Sequence, residues 1–381
     1  MKNKLYTAIG LMSGTSMDGV DVSVISSDGY DQFSVILNEY FEYDNKLQDQ
    51  LINLREIISK KEDLTKNFEK LEKLERNLTL FHANIVDQIS LKLKNPIDLV
   101  GFHGQSIFHN PQKKISKQLG DGKLLSQLVK KKVVYDFRLS DIQNNGQGAP
   151  LTPIFHYLLS KKINTNHDKG FPLGFLNIGG IANVTKVINN SGDIKENLLA
   201  LDIGPGNCLI DDWMRNNSNK KFDENGKIGK SGKIDWLIFN QAVENFQIKN
   251  YSKSLDIKDF DISFARGLSL EDGCATITNF TGYLIAQGLE NLISKNETIK
   301  FLVSGGGRKN NFLIECINNY LTDKDKIYLE AIEEDGFDGD FIESQAFGYL
   351  AIRSLLNLPI SFPETTGCSS PITGGKLVSN F

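Results

Sequence analysis

The chain has 381 residues, a length that suits two lobes better than one core. Its composition, 40% hydrophobic and 24% charged, is that of an ordinary soluble globular protein. The formal net charge of −4, with lysines interleaved among acids, gives no field that would gather nucleic acid. Cys208, Cys274, Cys316 and Cys368 form no CxxC pair, and the scattered histidines complete no zinc set. Free thiols in a cytoplasmic protein are expected. Asp18 and Asp21 interrupt the apolar residues near the start, so neither a signal peptide nor a membrane span is expected there.

In chain order, the first informative stretch is Ile9-Gly10-Leu11-Met12-Ser13-Gly14-Thr15-Ser16-Met17-Asp18-Gly19-Val20-Asp21. Ala8 and Ile9 precede it, and Val20, Val22 and Val24 alternate with Asp21 and Ser23 after it, which reads as strand, turn, strand. Its three glycines let the backbone approach a ligand and turn successive N–H groups to one side, as an anion nest does. Thr15 and Ser16 add hydroxyl donors, and Asp18 and Asp21 suit a phosphate that carries Mg2+. A plain hairpin turn uses the same residue types.

Phe33 to Tyr43 reads as another strand. Leu64, Phe68, Leu71, Leu74, Leu78, Phe81, Ile85 and Ile89 then recur at helical spacing, and His82 beside that stripe reads as structural. Leu99 to Phe102 reads as a buried strand ending in the polar turn His103-Gly104-Gln105-Ser106, where His103 and Gln105 could hydrogen-bond a sugar or simply satisfy a loop. Lys131 to Phe137 reads as a strand delivering Asp136, Arg138 and Asp141. After Asn145-Gly146-Gln147-Gly148-Ala149, Pro150 is expected to open a helix through Phe155, Tyr157 and Leu158. The polar run from Asn164 to Lys169 reads as an inter-lobe linker.

Phe175 to Thr185 repeats the strand–glycine turn–strand plan around Gly179 and Gly180. Two such hairpins, one per lobe, would form jaws around a polyphosphate. Leu199-Ala200-Leu201 leads into Asp202 beside the turn Gly204-Pro205-Gly206-Asn207, where a carboxylate is equally suited to proton chemistry or to satisfying turn amides. Gly226 to Ser231 has a GKS tail, but Glu224 stands where a P-loop needs glycine, so a surface loop is expected. A helix through Ile277, Phe280, Leu284 and Leu289 precedes the strand Phe301-Leu302-Val303. That strand runs into Gly305-Gly306-Gly307 and Asn310, a turn that suits a nucleoside or phosphate lying on backbone. Phe341 to Leu356 reads as a helix carrying Glu343, followed by a tail on the surface.

Taken together and in this order, the blocks GLMSGTSMDGVD (10–21), HGQS (103–106), DFRLSD (136–141), GQGAPLTP (146–153), LNIGGIANVT (176–185), DIGPGNCLIDDW (202–213), DGCATI (272–277), VSGGGRKN (303–310) and IESQAFGYLAIR (342–353) resemble the anhydro-N-acetylmuramic acid kinases. The family usually has glycine at the position of Asn145 and threonine at that of Ser106. The resemblance implies an α/β fold of two lobes, actin/hexokinase-like and ribonuclease H-like, with ATP in the interlobe cleft. Lobe I would span 1–167, completed by about 345–381, and lobe II 168–344.

It further implies that ATP phosphorylates O6 of 1,6-anhydro-N-acetylmuramic acid while water opens the anhydro bond at C1, as in anhydro-sugar catabolism and cell-wall recycling. Asp202 would be the single base, because O6 leaves C1 towards phosphorus. ATP would meet the run Gly14, Thr15, Ser16, Met17, Asp18, Gly19, Val20 and Asp21, with Gly179, Gly180, Gly305, Gly306, Gly307 and Asn310. Asp18 would hold Mg2+, and Asp21, already in the strand, would brace it. Arg138 could pair with the lactyl carboxylate, with His103, Gln105, Asp141, Gln147 and Glu343 as further substrate-side residues. The small-molecule anhydro sugar is then the partner, with no nucleic acid and no membrane, and a homodimer is implied. An ordinary sugar kinase without ring opening, or an actin- or chaperone-like ATPase, are the alternatives that the residues leave open.

Overall fold

The computed structural model describes residues 3–163, 172–246, 251, 254–294 and 297–381; the expected linker Asn164 to Lys169 lies outside them. The chain divides into two compact units, Met1–Lys162 with Phe341–Phe381, and Ile163–Asp340.

The first unit is built on a six-stranded sheet. β1 (Tyr6–Met12) and β2 (Gly19–Ser27) form the expected hairpin, and β3 (Phe33–Glu42) continues it antiparallel. The alternation of Val20, Val22 and Val24 puts all three in the core, where each side chain contributes about 1.5–3 kcal/mol relative to exposure. β4 (Leu99–Phe102) lies parallel to β1 on its other side. The polar turn expected at His103–Ser106 runs from Gln105 into a second hairpin, β5 (Gln105–Asn110) with β6 (Ile115–Leu119). β7 (Lys132–Tyr135) lies parallel to β4, and the tail returns as the strand Lys376–Val378, antiparallel to β7.

Gly10 and Gly101 sit side by side in the β1–β4 register. A Cβ on Gly10 would lie 1.8 Å from the Ser344 carbonyl oxygen, and one on Gly101 2.3 Å from that of Phe347. The bare patch is therefore what lets the helix Ile342–Leu355 rest on the sheet, and that helix carries Glu343. The long apolar stripe becomes the helix Phe68–Lys92, which buries Leu71, Leu74, Leu78, Ile85 and Ile89. The helical region after β3 is divided: Asn45–Ile57 is one helix, and Leu64 belongs to a separate short helix, Lys61–Lys66. The helix placed at Pro150 opens at Pro153 instead.

The second unit holds a five-stranded sheet in the order β10-β9-β8-β11-β12. β8 (Leu173–Ile178), β9 (Ile181–Val187) and β10 (Leu198–Pro205) are antiparallel, while β11 (Ile299–Ser304) and β12 (Ile327–Ala331) run parallel to β8. The two sheets thus share one plan, an antiparallel meander followed by parallel strands on the side of its first strand. The helix Leu270–Glu290 buries Ile277, Phe280, Leu284 and Leu289. Gly226 to Ser231, expected as a surface loop, ends in the short helix Lys227–Ser231. The buried carboxylate of Asp223 accepts from the Ile228 and Gly229 N–H groups at 2.8 and 2.9 Å and fixes that turn. Among the described residues no helix is long and apolar enough to cross a membrane.

Candidate active site

In the first unit, the β1–β2 turn is pinned from within and open at its tip. Met17 adopts a left-handed φ of 55° and is 0% exposed, so its side chain anchors the turn in the core. The Met17 N–H donates to the Gly14 carbonyl at 3.3 Å, and the Tyr43 N–H to that of Asp18 at 2.8 Å. Ser13 is buried against the Tyr43 hydroxyl at 2.8 Å. Arg55 Nη1 donates to the Thr15 carbonyl at 2.6 Å. Thr15, Ser16 and Asp18 are left exposed, with the Ser16 hydroxyl donating to Asp18 Oδ1 at 2.6 Å. A Cβ on Gly14 would have 3.9 Å to its nearest neighbour, so that backbone is free to approach a ligand. Val20 is a core residue and Asp21 lies within β2, opposite Met12; Gly19 is closed off by the Phe41 carbonyl, 2.5 Å from a would-be Cβ. The open tip of the run is therefore Gly14 to Ser16 with Asp18, and Asp21 keeps partial exposure in β2.

Gln105, at the start of β5, donates from Nε2 to the Gly14 carbonyl at 2.9 Å. Its Oε1 is buried and has no partner among the described residues. His103 and Arg138 meet directly: Arg138 donates from Nε and Nη2 to His103 Nε2 at 3.2 and 3.0 Å, and from Nη1 to the Gly148 carbonyl at 2.7 Å. His103 Nδ1 donates to the Gly104 carbonyl at 2.7 Å. Burial, and then the Arg138 charge, hold the imidazole down to about 3, so it is neutral with its proton on Nδ1.

Asp141 is internal. One oxygen accepts from the Gly148 N–H at 2.6 Å and the other from the Thr366 hydroxyl at 2.6 Å. Gly146 is required beside it, since a Cβ there would lie 2.1 Å from Asp141 Oδ2. Asp141 thus shapes the 146–148 loop rather than facing a ligand. Gln147 is held by its backbone, donating to the Thr366 carbonyl at 2.8 Å and accepting from His109 Nε2 at 2.9 Å, while its Oε1 is buried without a partner among the described residues. Glu343 keeps partial solvent access; burial raises its carboxyl above the usual range and the Arg138 charge opposes that rise.

In the second unit three glycine turns converge. Gly206 and Asn207 donate backbone N–H groups to the carbonyls of Gly180 and Gly179 at 2.9 and 2.7 Å. A Cβ on Gly305 would sit 2.3 Å from Asn177 Oδ1, and one on Gly307 2.2 Å from Ile178 Cγ2 and 2.9 Å from Asn207 Oδ1. Asp202 lies beside them, inside β10 rather than beyond its end, where the pairing with β9 slips between Asp202 and Gly204. The bulge redirects the strand. Asp202 is 7% exposed and its Oδ2 accepts from the Leu255 N–H at 2.8 Å. Asn310 is a helix cap, accepting from the Leu313 N–H at 2.9 Å. Three residues outside the expected set also meet the turns: Asn207, which ends the DIGPGN run, Asn177 and Arg308.

In the first unit an open glycine turn lies near a neutral histidine bonded to a charged arginine, and in the second converged glycine turns lie beside a buried strand carboxylate; such parts are equipment for phosphoryl transfer, which is chiefly positioning and charge stabilisation. The class is that of the kinases. The family model for anhydro-N-acetylmuramic acid kinase matches residues 6–380. The chain is 53% identical over 382 residues to the anhydro-N-acetylmuramic acid kinase of Pelagibacter ubique, covering 99% of this chain and 100% of that protein. It is 38% identical to that of Brucella canis over 97% of this chain and 98% of the relative. It is 39% identical to that of Agrobacterium fabrum over 98% and 99%. A solved hexokinase from Schistosoma mansoni complexed with glucose covers 91% of this chain and 85% of its own at a TM-score of 0.41 and 10% identity, a likeness too slight to carry weight. The chain belongs to the anhydro-N-acetylmuramic acid kinase family, and it is a phosphotransferase with an alcohol group as acceptor.

Proposed function

We propose that the enzyme uses ATP to phosphorylate O6 of 1,6-anhydro-N-acetylmuramic acid while water adds at C1, giving N-acetylmuramic acid 6-phosphate and ADP. The C1–O6 bond breaks, O6 takes the γ-phosphoryl group, the water oxygen bonds to C1, and its proton goes to Asp202. The observation that carries this reading is the carboxylate of Asp202, buried on a bulge beside the converged glycine turns, with its Oδ2 accepting from the Leu255 N–H. A general base needs such a fixed carboxylate. Phosphoryl transfer to O6 removes the need for a second carboxylic acid to protonate the leaving oxygen.

Gly14, Thr15 and Ser16 supply backbone and hydroxyl donors to the phosphates, and the turns at Gly179–Gly180 and Gly305–Gly307 supply backbone for the rest of the nucleotide. The exposed Asp18 carboxylate, one oxygen engaged by Ser16, fits a hydrated Mg2+ that also binds phosphate oxygens. Bound there, the ion would offset charge on the transferring group. Arg138, fixed by His103 and the Gly148 carbonyl, meets the sugar's carboxylate, with Glu343 and the amide oxygens of Gln105 and Gln147, unpartnered among the described residues, as acceptors for its polar groups. The enzyme acts as a cytoplasmic homodimer on this reading.

ADP release tests it. Release with the anhydro sugar, and little with N-acetylmuramic acid or glucose, is the expected result. Release with glucose or N-acetylmuramic acid in place of the anhydro sugar would overturn it.

A further inference from the structure

Arg308 directly follows the Gly305–Gly307 turn, and its side chain is only 10% exposed. Its donors form a closed network. Nε donates to Glu333 Oε1 at 2.8 Å, and Nη2 lies 2.6 Å from the same oxygen. Nη1 donates to the Gly305 carbonyl at 3.0 Å and to Asp340 Oδ1 at 2.7 Å. Lys309 takes the other Asp340 oxygen at 2.6 Å. The backbone repeats the connection: the Gly305 N–H donates to the Gly339 carbonyl at 3.1 Å, and the Gly339 N–H to Glu333 Oε1 at 3.1 Å. A Cβ on Gly339 would lie 2.6 Å from Arg308 Nε, so any side chain there would displace the guanidinium.

Asp340 is the last residue of the second unit, and the chain re-enters the first at Phe341. The helix Ile342–Leu355 starts one residue later, with Glu343 in its first turn. The network fixes the distance from the glycine turn to the crossing, three residues ahead of Glu343. A planar fork that meets two carboxylates and a carbonyl holds this geometry in a way a single point charge cannot.

We propose that Arg308 is a positioning residue that couples nucleotide occupancy of the Gly305–Gly307 turn to sugar binding at Glu343, through Asp340. The proposal rests on the reading above, in which the turn meets nucleotide and Glu343 faces the sugar. Coupling of this kind is reciprocal, so each ligand tightens the other by the same factor.

Isothermal titration of the full-length enzyme with the anhydro sugar, with and without a non-hydrolysable ATP analogue, measures the factor. In the wild-type enzyme the analogue should tighten sugar binding by about 5–150-fold, the usual span of allosteric coupling. Arg308→Ala and Asp340→Asn should each bring the factor to within about twofold of unity, while sugar affinity without nucleotide changes by less than about threefold. Arg308→Lys should restore part of the factor, since it keeps the charge towards Asp340 and loses the fork. If Arg308→Ala fails to fold, Asp340→Asn decides alone, because asparagine keeps the shape and removes the charge. A wild-type factor of one overturns the proposal. So does an unchanged factor in the variants, including one accompanied by weaker nucleotide binding. Failure of the underlying reading looks different: the wild-type enzyme would then release no ADP with the anhydro sugar.

Discussion

The side-chain amide of Gln105 donates to the carbonyl oxygen of Gly14 at 2.9 Å, joining the strand after His103 to the open tip of the first glycine turn. The bond fixes Gly14 from the side away from solvent and leaves Gln105 Oε1 buried and unpartnered among the described residues. Gln105→Ala should therefore lower kcat/KM for ATP and for the sugar together, by about three- to tenfold each, the worth of one neutral hydrogen bond. Gln105→Glu should cost more, because a carboxylate oxygen would face the Gly14 carbonyl. Steady-state kinetics varied in each substrate checks this. A loss confined to one substrate contradicts it.

Asp202→Asn tests the base. Asparagine can still accept from the Leu255 N–H through its amide oxygen, so the bulge should survive. Turnover should fall by a factor on the order of 10²–10⁴ while nucleotide binding stays near normal. Near-normal kcat would refute the assignment.

Gly305 combines a φ of +78° with a would-be Cβ 2.3 Å from Asn177 and 2.7 Å from the Ile178 carbonyl. Gly305→Ala should cost about 1–3 kcal/mol of stability and weaken nucleotide binding. Gly14→Ala, where the space is open, should leave stability nearly unchanged. Thermal melts of the two variants compare them, and equal melting shifts would count against the turn geometry described here.

Burial holds four histidines below their ordinary value near 6.5: His82 and His109 at about 4, His103 and His156 at about 3. The unfolded chain takes up these protons first as pH falls, so stability rises with pH across this window. Full stability from these groups should be present above about 6.5 and be lost progressively down to between 4 and 3. Each pH unit below 6.5 costs up to about 1.4 kcal/mol per histidine. Melting temperatures measured from pH 8 to pH 4.5 should be flat and then fall. A flat curve throughout would contradict the buried neutral state.

Much of this fold is legible in local pattern. Alternation and glycine turns mark the β1–β2 and β8–β9 hairpins, and a helical stripe marks Phe68–Lys92, because each is specified by its own residues. The departures arise where tertiary contacts decide. Gln105 to Leu119 folds as a hairpin although it carries polar residues, since Gln105 is held by Gly14 and Gln118 by Ser106 and Ser116. Lys227–Ser231 is helical with Asp223, four residues ahead of it, accepting from the Ile228 and Gly229 N–H groups, a short-range bond that the GKS-like spacing does not announce. Among the candidate site residues, Gly179, Gly180 and Asp202 stand out in the sequence by type and spacing. Asp141 has the right type, yet its oxygens are spent on Gly148 and Thr366, which no local pattern reveals. Arg308 gains its interest only from Glu333 and Asp340, 25 and 32 residues further along the chain.

The central claim is that O6 becomes the phosphate ester oxygen as the anhydro bond opens. The most direct measurement uses anhydro-N-acetylmuramic acid carrying oxygen-18 in the bridge between C1 and C6, with phosphorus NMR of the product. The label should remain between C6 and phosphorus, seen as an isotope shift of the phosphate ester, and the product should have gained one water. A phosphorylated product with no isotope shift, or one that keeps the anhydro bond, would contradict it.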